Sequence, residues 1–225
     1  MVQEVAIRTY SKDQQLVRER RKQIMKGALR VFITNGYHRT STRQIADACG
    51  MSVGSLYHYV GSKEDILYLL IEDTLSTTLQ AMSGAVRISD PMKALVYAID
   101  RWIRVMDETQ EATLFAYQEL RNLKAAGRSG LLDIDRRVAE VFESIIAAGV
   151  KKGQFQVADP RLVAHTITVI GHMWAFRRWF FRQYYTVDQF IEKETRLILG
   201  GVVSRHGGNG GGNGPGVLRP RREAL

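Results

Sequence analysis

Between Thr40 and Lys63 the chain gathers Thr42, Arg43, Ser52, Ser55, Tyr57, His58 and Lys63, with Gly54 among them. Hydroxyls, a phenol, an imidazole and two cations in so short a stretch suit hydrogen bonding to an anionic, acceptor-rich partner. Phosphate oxygens accept from hydroxyls, cations and free helix N-termini, and an arginine can pair bidentately with a guanine edge. Gly54 has no side chain and lets a backbone come close. Other chemistry finds less support. His165 and His172 are seven residues apart and share a helical face, but no nearby cysteine or carboxylate completes a metal-ligand set, so packing or contact with a small molecule is the reading for them. The single Cys49 excludes an internal disulfide and a cysteine-rich zinc site. No nucleophile elbow, phosphate-binding loop or dinucleotide fingerprint is present, and no catalytic residue, metal or cofactor is assigned.

The elements that must position these groups are short. Ser41 opens a helix, and Gln44 three residues on makes a capping box. Ile45, Ala46 and Cys49 form its apolar face, and Gly50 supplies the left-handed backbone that ends it. Ser52 opens a second helix, whose Val53, Leu56 and Val60 leave Ser55, Tyr57 and His58 outside. Two short helices joined by a glycine turn are either an ordinary helical hairpin or a helix-turn-helix unit, whose second helix enters the DNA major groove.

The full pattern from Gly36 to Glu64, G-Y-x-x-T-S-T-x-x-I-A-x-x-x-G-M-S-x-G-S-L-Y-H-Y-V-x-S-K-E, closely resembles the DNA-binding domain of the TetR family of bacterial transcription regulators. Cys49 stands where that family more often has Ala or Val, and Val60 where it usually has Phe. The resemblance implies DNA contacts from Thr42, Arg43, Ser52, Gly54, Ser55, Tyr57, His58 and Lys63. Arg43 is the candidate for a base contact, and Lys63 for a point charge aimed at the phosphate backbone.

The charge distribution agrees. Ten basic and four acidic residues fall in residues 1–62, eighteen of each in 63–203, and four arginines with one glutamate in the tail from Ser204. The excess lies on the segment that faces a polyanion, and the larger middle is neutral. No apolar run approaches the ~18 residues of a membrane span, the start lacks a signal-peptide core, and a cytoplasmic, all-α protein is expected.

The organisation predicted is a mobile arm over 1–15, a helix-turn-helix domain over 16–62, a larger effector-binding and dimerisation domain over 63–201, and a disordered, Gly-rich basic tail over 202–225. About nine helices are expected, three in the head and six behind. A helix from Leu16 to Asn35 packs on the two short ones. Ser62 caps a helix running to about Val86, a lever between head and body. Asp90-Pro91 opens another, to about Thr109. A shorter, kinked one covers Ala112 to Leu123, and Gly127 and Gly130 mark a loop before a helix over Leu131–Lys152. Asp159-Pro160 opens a helix to about Tyr184 that is apolar on most sides, and a helix apolar all round must be buried all round. Thr186 and Gln189 cap the last helix, which Gly200-Gly201 ends. In the family the last two helices form a four-helix dimer interface, which the resemblance carries to residues 160–184 and 187–199. A dimer reads a two-fold symmetric operator in double-stranded DNA.

Behind the head, Trp102, Met106, Phe115, Tyr117, Phe142, His172, Met173, Trp174 and Phe176 are candidates to line a cavity for a small effector, simple core packing being the alternative for each. E-L-R-N-L at Glu119–Leu123, R-R-V at Arg136–Val138, G-V-K-K-G-Q-F at Gly149–Phe155 and M-W-A-F-R-R-W at Met173–Trp179 look like regulators of fatty-acid and related acyl-CoA catabolism. That likeness implies an acyl-CoA thioester as effector, with Arg121, Arg177 and Arg178 as cations for its phosphates. The alternative for these arginines is a solvated face or a salt bridge to Glu192 or Glu194. A regulator of efflux or stress genes answering another hydrophobic molecule is the rival. A non-specific architectural DNA binder fits less well, since it needs no aromatic-rich back half. Repression is the family's default mode.

Overall fold

The computed structural model describes Ile7, Thr9 and residues 13–203. Within them the chain is all-α, with ten helices: α1 (Gln14–Asn35), α2 (Thr42–Ala48), α3 (Val53–Tyr57), α4 (Lys63–Met82), α5 (Pro91–Glu108), α6 (Gln110–Glu119), α7 (Ala125–Lys151), α8 (Pro160–Phe176), α9 (Arg178–Phe181) and α10 (Val187–Val202). Short 3-10 turns follow α4 and α6. The tail from Ser204 and most of the expected N-terminal arm lie outside the described residues.

Local chemistry sets most helix starts. Asp13, Ser41, Ser52, Ser62, Asp90, Asp159 and Thr186 each accept a backbone N–H in the first turn of the helix they precede. Ser41–Gln44 and Thr186–Gln189 are reciprocal capping boxes. The Asp13 cap starts α1 two residues before the expected Leu16.

Three helices differ from expectation. α7 begins at Ala125, so Gly127 and Gly130 lie inside a helix rather than a loop. Two glycines cost a helix about 1 kcal/mol each. The start is held in place by Glu64 of α4, which accepts the Lys124 backbone N–H at 3.1 Å and pairs with its ammonium at 3.1 Å, and by Leu123, buried beside it. The helix expected over 160–184 breaks at Arg177, whose backbone leaves helical geometry (φ −111°, ψ 21°). Trp174 before the break and Arg178 after it both reach Asp107 of α5, and the break lets them do so. α10 continues through Gly200 and Gly201 to Val202, where the Val202 carbonyl accepts the Gln156 N–H and Val203 bridges Phe155.

The apolar residues condense into two clusters. One, in the body, joins α5, α7, α8 and α10 around Trp102, Phe142, Trp174 and Phe190. Trp102 lies flat against Gly171 of α8, where a Cβ would overlap the indole, and donates to the Thr168 carbonyl at 3.2 Å. The other belongs to the head but is not closed by it. Ile24, Phe32, Ile45 and Leu56 pack with Ile66–Ile71 of α4, Phe115 and Ala116 of α6, and Leu131 and Ile134 of α7. The first two turns of α4 and parts of two body helices complete the head core. Phe115 stacks on Phe32 with ring centroids 5.4 Å apart and planes 6° from parallel.

Candidate nucleic-acid interface and effector cavity

The helix-turn-helix is built by α2, a turn and α3. Gly50 carries the turn at φ +66°, and the Met51 N–H returns to the Ala46 carbonyl at 3.0 Å. Ile45, Ala46, Cys49 and Leu56 are buried beneath it. Arg43, Ser52, Gly54, Tyr57 and His58 are exposed, with Thr42 and Ser55 half-buried among them. The Tyr57 hydroxyl lies 3.4 Å from Thr42 Oγ1, tying the end of α3 to the start of α2. A Cβ added at Gly54 would meet only Ser52 Oγ, at 3.9 Å, so nothing inside the chain demands glycine there and the opening faces outward. One continuous outer face thus holds seven of the eight candidate contacts.

Lys63 is the exception. Its ammonium does not point outward: it donates to the carbonyls of Tyr37 (2.9 Å), His38 (3.2 Å) and Thr40 (2.9 Å), and lies 4.6 Å from the centre of the Tyr37 ring. An ammonium has three protons, and all three are engaged. The expected phosphate contact is replaced by a clamp that holds the α1–α2 turn to α4. Burial, with the nearby carboxylates of Glu64, Glu119 and Asp65, pushes the Tyr37 phenol up to about 12. Arg21 is a second clamp that the sequence reading missed. It donates to the Tyr59 and Ile7 carbonyls at 3.0 Å each, while Thr9 donates to the His58 carbonyl at 3.1 Å, so the described part of the N-terminal segment lies behind α3.

The expected effector residues divide. Trp102, Met106, Phe142 and Trp174 are buried in the body core, and Met173 packs against it. Phe115 belongs to the head core. Packing, not cavity lining, is what these six do. Tyr117, His172 and Phe176 do come together: the Tyr117 hydroxyl is 3.1 Å from His172 Nδ1 and 3.2 Å from Nε2, and its ring meets Phe176 edge-on at 4.9 Å. His172 meets Trp102 edge-on at 5.0 Å. Burial, and secondarily His165, pushes the His172 imidazole down to about 4, so it is neutral at pH 7.

The three arginines form no common mouth. Arg121 is exposed after α6. Arg177 is exposed and lies over the Trp179 and Phe180 rings at 5.3 and 5.5 Å. Arg178 pairs with Asp107 at 3.1 Å and donates to Gln110 at 2.7 Å; Asp107 also accepts from Trp174 Nε1 at 3.0 Å and pairs with Arg182 at 3.3 Å. Asp107, not Glu192 or Glu194, is the carboxylate that holds Arg178.

A cavity of about 60 Å³ does exist, bounded by Ile71 and Leu75 of α4, Ala116 and Tyr117 of α6, Leu120, and Leu131, Leu132 and Asp135 of α7. Only Tyr117 of the expected residues lines it. Burial raises the Asp135 carboxyl above its ordinary range, with His165 opposing the shift. Asp135 was legible in principle: it follows Leu131 by four and Ile134 by one, an apolar-face position of an amphipathic helix.

Two family models match the chain: "Bacterial regulatory proteins, tetR family" over residues 24–68, and "Tetracyclin repressor-like, C-terminal domain" over residues 89–202. The HTH-type transcriptional regulator HbdR of Aromatoleum sp. (strain CIB) is 29% identical over 195 residues, covering 86% of this chain and 85% of its own. The fatty acid metabolism regulator protein of Bacillus subtilis (strain 168) is 24% identical over 147 residues, 64% of this chain and 76% of its own. The crystal structure of AibR in complex with isovaleryl coenzyme A and operator DNA shares the fold at a TM-score of 0.69 and 20% identity, over 79% of this chain and 97% of that one.

Proposed function

Because the chain belongs to the TetR family of bacterial DNA-binding transcriptional regulators, we propose that it is a dimeric repressor which leaves a two-fold symmetric operator when an acyl-CoA thioester binds its body. The DNA face is the outer surface of α2 and α3, with Arg43 reading a base and Thr42, Ser52, Ser55, Tyr57 and His58 holding phosphates. Gly54 gives the groove close access. Dimerisation through α8 and α10 is supported by large apolar side chains left open on both: Leu162 and Val169 on α8, and Leu197 on α10, are all more than half exposed.

The effector class is supported by relatives: one is a fatty acid metabolism regulator, and AibR has been crystallised with an acyl-CoA and operator DNA together. The observation that carries the coupling is α6. Phe115 on that helix is stacked in the head core, and Tyr117, two residues on, walls the cavity. A ligand that enlarges the cavity displaces α6, and with it the contact that seats the head. It thereby favours a conformation whose two heads are wrongly spaced for the operator.

The test is fluorescence anisotropy of the full chain on DNA from upstream of its own gene, against random DNA at physiological salt, then titrated with a long-chain acyl-CoA. Specific binding released by the thioester is expected. Equal affinity for random DNA refutes the specific regulator. Specific binding indifferent to the thioester refutes the effector.

A further inference from the structure

The cavity beneath α6 is selective in its chemistry. Of its eight lining residues six are apolar, one is the phenol of Tyr117 and one is the carboxyl of Asp135; none is cationic. The nearest candidate cations are engaged or outside, since Arg178 is spoken for by Asp107 and Gln110, and Arg121 stands exposed. Ligand sites are typically 300–1,000 Å³, several times the volume here, so an occupant must move a wall. Tyr117 is the wall that can move: it is half exposed, its hydroxyl is anchored to His172, and outward rotation leads the cavity towards His172 and Phe176.

We propose that this cavity receives the buried end of the effector as an uncharged chain, that the ligand replaces Tyr117 on His172, and that Asp135 excludes the free carboxylic acid of the same chain. The inference rests on reading this region as the effector site. A neutral imidazole can donate to a thioester carbonyl or accept from a hydroxyl. A carboxylate placed here brings a second negative charge against Asp135 in an apolar surround with no cation, where like charges are most costly. The regulator then answers the activated or otherwise neutral acyl group and ignores the acid from which it is made. A phosphate-bearing head group, if there is one, stays in solvent.

The experiment is isothermal titration of the full chain at pH 7.5 with octan-1-ol, octanoate and octanoyl-CoA, on wild type and Asp135→Asn. Octan-1-ol is expected to bind at least tenfold more tightly than octanoate. Any apolar pocket prefers the alcohol to some degree, so the variant decides: Asp135→Asn is expected to narrow the ratio at least fivefold through tighter octanoate binding. Equal affinity of the two in wild type, an unchanged ratio in the variant, or no binding by any of the three overturns the proposal. Operator release, followed separately by anisotropy, distinguishes the two readings. Discrimination without release by octanoyl-CoA removes the thioester effector and leaves the filter; release without discrimination removes the filter and leaves the thioester.

Discussion

Lys63→Met separates two roles that the sequence cannot separate. In the structure the Lys63 ammonium makes three hydrogen bonds of 2.9–3.2 Å to the carbonyls of Tyr37, His38 and Thr40. Hydrogen bonds to a charged group are worth about 1.5–3 kcal/mol each when buried. Here one ammonium serves all three carbonyls, and water can replace it at the exposed His38, so about 2–3 kcal/mol in all is reasonable. The cation over the Tyr37 ring adds about 0.5 kcal/mol. The expected loss is therefore about 3 kcal/mol, or about 6–12 °C in Tm for a chain of this size. Operator binding should weaken as well, because the clamped turn sets the position of Ser41 and Thr42. It should weaken equally at all salt concentrations. A lysine that neutralised a phosphate would behave differently: its loss would lower the slope of log K against log salt by about 0.9 per protomer. Urea denaturation and a salt series of anisotropy titrations measure both quantities. A variant of unchanged stability with a slope reduced by about 0.9 would falsify the clamp. Arg43→Met is the counterpart, since Arg43 is exposed on the outer face. It is expected to hold its Tm within about 2 °C, as surface changes do, and to lose operator affinity and specificity at one position of each half-site.

The body offers further tests. Asp107→Ala removes the carboxylate shared by Trp174, Arg178 and Arg182, and leaves the largely buried Arg178 guanidinium without its counter-charge. A loss of about 3–5 kcal/mol is expected in urea denaturation, the usual cost of stranding a buried charge; Asp107→Ala with wild-type stability would refute the hub. His172 makes stability fall in acid. Its pKa is about 4 when folded against 6.5 for the free imidazole, so the unfolded chain takes up the proton first. The contribution is fully present above pH 6.5, is lost progressively as the pH falls from 6.5 to about 4, and is level below that. The shift corresponds to about 3 kcal/mol. His172→Phe should flatten this part of the stability profile relative to wild type between pH 7 and 4.5; an identical profile would show that the imidazole is not held neutral.

What the sequence discloses here depends on how far apart the interacting groups are. The helix starts were readable because a cap is a bond across three residues: Ser41 with Gln44, Ser62 with Asp65, Thr186 with Gln189. The turn at Gly50 was readable for the same reason, and so the helix-turn-helix could be placed by local chemistry. The α7 start and the break at Arg177 could not. Gly127 and Gly130 read as a loop until Glu64, sixty residues earlier, is seen holding Lys124. The run from Pro160 to Tyr184 reads as one apolar helix until Asp107 is seen drawing in Trp174 and Arg178 from 67 and more residues away.

The aromatic side chains misled in a related way. Trp102, Phe142 and Trp174 have the size and spacing of a ligand-binding wall, but large apolar groups serve a core equally well, and here they do. Residue type alone cannot separate the two uses, because burial against protein and burial against a ligand remove the same surface from water. A charge at an apolar position is more informative, since burying it is unfavourable unless something compensates. Asp107 follows Ile103 by four on α5, and Asp135 follows Leu131 by four on α7, so both carboxylates lie on faces otherwise apolar. For Asp107 the compensation is visible, in two guanidinium groups and an indole N–H. For Asp135 burial keeps its carboxyl above the ordinary range, and the surface beside it is the cavity wall. The same irregularity in the pattern thus marks a structural hub in one helix and, in another, the residue on which the ligand chemistry of this protein turns.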